Sequence, residues 1–191
     1  MHLEAEHRST LLSLIARDDV RLRLLGHVAS LNLPDCWIGA GFVRSAVWDH
    51  LHGRSPEASW DDIDVVWFDK NGAAVAADEA IEAHLKQADP SANWSVKNQA
   101  RMHLSNGDAP YLSVEDAISR WPETATAVAL RLQADAIDIL APLGLDDLFS
   151  MVIRPTPSFT GHKLSLFHDR MRAKQWLDRW PRLTVAGACL T

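Results

Sequence analysis

The chain has 191 residues, 47% of them apolar and 23% charged, with a formal net charge of −6. That composition suits a globular domain with a real core, and the acidic balance excludes a broad basic surface that wraps nucleic acid, while leaving room for a local basic patch. Two distant cysteines, Cys36 and Cys189, form neither a disulfide framework nor a zinc pattern, the opening "MHLEAEHRSTLLSL" lacks a basic leader followed by a long apolar core, and no run is apolar enough to span a bilayer; a cytoplasmic protein without membrane association is expected.

From Leu3 to Leu31 apolar residues recur at helical spacing, and Asp18-Asp19 supplies a break and an N-cap, so two helices are expected. Trp37–Gly39 reads as a short strand, and Phe42–His52 as a helix with Val43, Ala46, Val47 and Leu51 on one face. "RSPEASWD" is rich in turn formers and reads as a loop. Asp62–Phe68 reads as a strand, apolar on both faces after Asp64, which suggests a central position. Ala76–Ala88 reads as a helix and Trp94–Arg101 as a strand. Ser113 with Asp116 resembles a cap for a short helix through Arg120. "TAVALRLQADAIDILAP" reads as two strands joined at Ala134-Asp135, and Leu143–Ser150 as a short helix. In the tail, Trp176 and Trp180 share one helical face, expected to be core. The order gives an α+β domain built on one small mixed sheet flanked by helices. It divides into a helical N-terminal segment (1–32), a catalytic core (about 36–150) and a C-terminal helical segment (about 160–181).

The chemistry concentrates in a few stretches. Residues two apart in a strand point the same way, roughly 6–7 Å between Cα atoms, so Asp62 and Asp64 project side by side. Their repulsion would leave one holding a proton unless a divalent cation removes it, and hard carboxylate oxygens suit magnesium or manganese. The bland alternative is a set of aspartates (Asp61, Asp62, Asp64) closing a turn. Asp138, in "AIDIL", is a charge within an apolar strand. It is either the solvated face of an edge strand or, beside the Asp62/Asp64 strand, a third ligand. Gly39 and Gly41 allow close backbone approach, the helix they open offers N–H groups to a phosphate, and Arg44 lies one turn in. The turn lacks the lysine and hydroxyl residue of a P-loop and the spacing of a dinucleotide fold. In "WSVKNQARMH", Ser95, Lys97, Gln99 and Arg101 are expected on one strand face, either solvated or set to neutralise phosphate. The nine histidines show no zinc spacing, Asp146 and Asp147 read as the start of a helix, and Trp121 is the tryptophan to watch near a base or acceptor pocket.

Glycine turn, arginine-bearing helix, DxD strand and later apolar-Asp-apolar strand together resemble the polymerase-β-like nucleotidyltransferase superfamily. The run Ala40-Gly41-Phe42-Val43-Arg44 is similar to the glycine signature of its tRNA-tail-adding branch, with Ala40-Gly41 where paired glycines are usual and Ser45 where aspartate often stands. "GAGFVRSAVWD", "DDIDVVWFD", "WSVKNQARMH", "PYLSVEDAISRWPETATAV" and "APLGLDDLF" resemble more closely a family of small bacterial nucleotidyltransferase-like proteins of unestablished substrate. The resemblance implies NMP transfer from an NTP to an acceptor hydroxyl on a small molecule, protein or RNA. It implies magnesium at Asp62, Asp64 and Asp138, which would also be the catalytic residues, and triphosphate at Gly39 and Gly41, with Arg44, Lys97 and Arg101 as further nucleotide contacts. A phosphatase of the haloacid-dehalogenase kind also uses DxD, but there the apolar strand precedes the motif, whereas "VVWF" follows it here. The alternative of a different class is an inactive nucleotide-binding module or a toxin–antitoxin-type interaction module.

Overall fold

A computed structural model describes residues 2–55, 62–72, 74–134 and 136–186. Helix α1 (His2–Ile15) is followed by α2 (Asp19–Ser30), whose N-cap Asp18 accepts a hydrogen bond from the Arg21 amide at 2.9 Å. Strand β1 (Trp37–Gly39) leads through Ala40 into α3 (Gly41–Leu51), which buries every residue from Phe42 to Asp49. Such continuous burial marks a helix packed on several sides rather than an amphipathic surface helix. Next come β2 (Ile63–Trp67), α4 (Val75–Ala88), β3 (Trp94–Asn98), α5 (Gln99–Asn106) and α6 (Val114–Ile118). A 3-10 turn at Thr124–Thr126 precedes β4 (Ala129–Gln133) and β5 (Ala136–Leu140). The chain ends through α7 (Asp146–Phe149), β6 (Val152–Ile153), α8 (His162–Lys174), α9 (Trp176–Arg179) and β7 (Thr184–Val185). Most of the expected "RSPEASWD" loop, residues 56–61, lies outside the described residues, as does Asp135 at the expected β4–β5 junction.

The main sheet has the order β3-β2-β1-β4-β5. Only β2 and β3 run parallel; the other three pairings are antiparallel. The protein is therefore an α+β fold on a mixed sheet flanked by helices. Alternation along β2 separates two environments. Ile63, Val65 and Trp67 enter the main core with α2, α3 and α4, while Val66 joins Trp37, Ala129, Val114 and Ile118 on the opposite face. Asp64 has the parity of Val66 and so opens onto that second face.

Tryptophans anchor the tail. The Trp180 indole N–H donates to Asp49 Oδ1 at 2.8 Å, and the Trp48 ring lies 5.1 Å from Trp180 and 5.7 Å from Trp176, both edge-on. Burying side chains of this size contributes on the order of 2 kcal/mol each, which fixes α9 and the end of α8 against α3. On the far side, Glu4, His7 and Asp146 bring ligand-type atoms within 4.8 Å of one another. Glu4 is already engaged by Arg8 and by the Leu145 amide, so the trio reads as a strut between α1 and α7.

Two expectations are corrected. The strand expected through Arg101 ends at Asn98, because the Asn98 side chain accepts from the Ala100 amide at 3.0 Å and caps α5. Arg101 consequently leaves the Lys97 face and pairs with the buried Asp78, which also accepts from the Trp67 indole and the Asn98 amide. The strand bearing Asp138 does not lie beside β2. It is the outer strand β5, separated from β2 by β1 and β4. Asp138 does share the open sheet face with Asp64, but three strand spacings, about 14 Å, and the side chains of Trp37 and Arg131 intervene. Two carboxylates that far apart cannot ligate one ion.

Candidate active site

Ala40 occupies the corner between β1 and α3 at φ 54° and ψ −123°, a backbone conformation that glycine adopts freely and alanine does not. Its amide donates to Val128 O at 3.1 Å, tying the corner to the start of β4. Gly39 is needed for a different reason. A Cβ there would sit 2.8 Å from Trp121 Cη2 and 3.1 Å from the Val128 carbonyl. The bare backbone lets the edge of the indole's six-membered ring close on β1, and Trp121 lines the cleft.

That cleft, about 430 Å³, lies over the second face of the sheet. Ala40, Asp62 and Asp64, Ser95 and Lys97 of β3, and the apolar Trp121, Phe159 and Leu166 are among the residues that line it. An adjoining recess of about 150 Å³ continues under α8 and α9 and also includes Gly41, Arg44, Lys174 and Arg179. Asp62 and Asp64 line both spaces, as do Arg170 and Lys174. Burial, and then the neighbouring Asp62 charge, push the Asp64 carboxyl up to about 6, against the pull of Arg44, Arg170 and Lys174.

Arg44 is buried, and its guanidinium is placed by three neighbours. Nη1 donates to Thr126 Oγ1 at 3.2 Å, and the guanidinium carbon lies 4.2 Å from the Trp176 ring centroid and 5.2 Å from that of Trp48. Burial lowers its pKa to about 10, with Glu123 the main opposing charge, so it stays cationic at neutral pH. Arg170 lies over the same Trp176 ring at 5.5 Å and donates through Nε to Glu123 Oε1 at 2.7 Å.

Of the residues singled out from the sequence, Asp62, Asp64, Gly41, Arg44 and Lys97 line this composite cleft, Gly39 lies directly behind it under Trp121, and Arg101 and Asp138 lie elsewhere. Sequence reasoning missed Arg170, Lys174 and Arg179, together with Glu123 and Thr126, which hold two of the cleft's arginines. A signal existed: Arg170 and Lys174 are four apart on one helical face, immediately before the buried Trp176.

A nucleotidyltransferase family model matches residues 26–185, most of the chain and every element of the cleft. The chain belongs to this nucleotidyltransferase family. No curated protein matches it. Among solved structures, a protein whose NMR structure reveals a CCA-adding enzyme head domain is 32% identical, with a TM-score of 0.83 over 92% of this chain and 93% of that one. The Thermotoga maritima CCA-adding enzyme complexed with tRNA is 17% identical, with a TM-score of 0.55 over 94% of this chain and 42% of its own. A tRNA-processing enzyme with CTP is 18% identical, with a TM-score of 0.52 over 86% and 43%. The nucleotidyltransferase chain thus spans less than half the length of those two larger enzymes, and at such identity they share the fold alone. The fold is that of the polymerase-β-like nucleotidyltransferase superfamily. Among the described residues, no helix is long and apolar enough to cross a membrane.

Proposed function

We propose that this nucleotidyltransferase moves an NMP group from an NTP to an acceptor hydroxyl. The observation that carries the reading is the pairing of Asp62 and Asp64 with four cationic side chains, Arg44, Arg170, Lys174 and Arg179, around one recess. Two adjacent carboxylates with a raised Asp64 pKa fit a divalent cation, and their all-oxygen donor set suits magnesium or manganese. Asp62 and Asp64 would hold it, and when bound it would neutralise phosphate charge and activate the attacking oxygen.

The chain's own groups account for the rest. The Ala40-Gly41 corner and the start of α3 face the triphosphate, with Arg44 and Arg170 neutralising it. The larger cleft takes the nucleoside, with Trp121 and Phe159 as apolar walls and Lys97 near its polar side. The acceptor hydroxyl gives up its proton to solvent water, its oxygen bonds to the α-phosphorus, the bond from that phosphorus to the bridging oxygen breaks, and pyrophosphate leaves with the electron pair. The arginines stabilise the charge that gathers on pyrophosphate. The acceptor is a hydroxyl of a small molecule, a protein or an RNA end; the larger relatives' tRNA and CTP make an RNA end one arm of the test. A cytoplasmic location would supply both NTP and magnesium.

One observation favours a second reading, nucleotide binding without transfer. Among the described residues lining the recess, Asp62 and Asp64 are the two carboxylates, and Asp138 is too distant to be a third. The deciding experiment incubates purified protein with labelled NTPs, magnesium and cell extract, separated into RNA, protein and small-molecule fractions. Transfer predicts label in one fraction and pyrophosphate release, both lost in Asp64→Asn. Nucleotide binding by calorimetry with no label in any fraction would leave the binding module standing.

A further inference from the structure

Glu123 has no measurable exposure, yet it sits beside the most cationic part of the cleft. A carboxylate stripped of water is costly unless its oxygens are satisfied. Oε1 is satisfied, accepting from Arg170 Nε at 2.7 Å; Oε2 is buried without a hydrogen-bond partner. Arg44 Nε is likewise buried without one. Glu123 is held from behind by backbone alone: it bridges Pro155, and the next amide, Thr124, donates to Arg154 O at 2.9 Å.

Resting on the nucleotidyl-transfer reading, we infer that Glu123 is a positioning residue, which grips Arg170 by Nε and thereby aims its terminal nitrogens, and the α8 helix that carries them, at the triphosphate. The fork geometry supports this directly. A guanidinium held at Nε still has both Nη groups for a bidentate phosphate contact. Arg170 is about one-third exposed and lines both parts of the cleft, so those groups face the ligand space. Arg44 and Arg170 share the Trp176 ring, and two like charges so close repel. Glu123 is the main anion that offsets the Arg44 charge, ahead of Asp64, and it is hydrogen-bonded to Arg170 as well. The adjoining 3-10 turn extends the device, because Thr126 holds Arg44 as Glu123 holds Arg170. One short segment therefore sets both guanidiniums against one aromatic platform.

A purely structural tether would affect melting but not anion geometry. The test measures calorimetric affinity for inorganic tripolyphosphate and for magnesium–NTP in the full chain, with melting temperatures alongside. Glu123→Gln keeps shape and one acceptor but removes the charge. It should weaken both ligands by at least about tenfold. Arg170→Lys keeps the charge but loses the fork, and should weaken them similarly. The double variant should be little worse than either single one, since each breaks the same charge-assisted pairing of guanidinium and carboxylate. Arg170→Lys covers the case in which Glu123→Gln does not fold. Wild-type affinity in either folded variant, or fully additive losses, overturns the inference and leaves the nucleotidyl-transfer reading intact. A wild-type protein that binds neither ligand overturns both.

Discussion

Arg131 of β4 and Asp138 of β5 face each other across the last strand pair, Nε to Oδ2 at 2.9 Å, with the Trp37 ring 4.2 Å from the same guanidinium. Asp138 thus has a partner on the sheet's outer edge, and the pair explains how a charge persists in "AIDIL". Both side chains are more than a third exposed, so the pair contributes at most about 0.5 kcal/mol. Asp138→Asn should leave magnesium–NTP affinity unchanged and barely shift melting. A large loss of nucleotide affinity, read by calorimetry, would return Asp138 to the site.

Lys97 and Arg101, four residues apart, should separate cleanly. Arg101→Met leaves Asp78 buried and short of its cation, and should cost about 3 kcal/mol of stability with nucleotide affinity of the folded protein retained. Lys97→Met removes an exposed cation on the cleft wall, and should weaken nucleotide binding several-fold while barely changing urea midpoints. Parallel urea titrations and binding isotherms would reveal a reversal of this pattern.

Ala40 and Gly39 make a second contrasting pair. Ala40→Gly relieves an alanine at φ 54° and should stabilise the fold by about 1 kcal/mol after the glycine's extra chain entropy is subtracted. Gly39→Ala must displace Trp121 or the Val128 carbonyl and should destabilise by about 1–3 kcal/mol. Thermal melts of the two variants should therefore move in opposite directions.

Asp108 fastens the start of α8 to the cleft. Its carboxylate accepts from Lys163 Nζ at 2.5 Å and from the Tyr111 hydroxyl at 2.6 Å. Burial alone would raise its pKa; those two bonds and the Lys163 charge outweigh burial and hold it below the ordinary carboxylate value. A depressed folded-state pKa contributes stability above the unfolded value of about 4, and that contribution fades as pH falls through the folded value. Asp108→Asn should therefore be less stable than wild type at pH 7, with the difference closing below about pH 4. A pH-independent gap in urea unfolding would show that the charge is irrelevant.

Period and caps were enough to locate most elements: α2 starts at the Asp18 cap, and the Asp62/Asp64 parity does open both carboxylates onto one cleft. What failed depended on information that a local pattern does not carry. Alternation ran on past Asn98 because polar Gln99 and Arg101 fit a strand as well as a helix; only the Asn98 cap decides. Parity placed Asp138 on the correct face but is silent on strand order, which two intervening strands settled. The cations of α8 and α9 were passed over because a basic helix reads as solvated until the packing of Trp176 and Trp180 turns it inward.

That inward turn has a consequence for the order in which the protein is made. The aspartates and Arg44 are synthesised early, whereas Arg170, Lys174 and Arg179 follow Asp64 by about a hundred residues. A chain leaving the ribosome N-terminus first holds two repelling carboxylates and an arginine awaiting its Trp176 platform until the last helices arrive. The cationic recess is therefore complete only in a nearly finished polypeptide, so any stabilisation that a bound polyanion supplies would act on completed molecules and not on nascent ones.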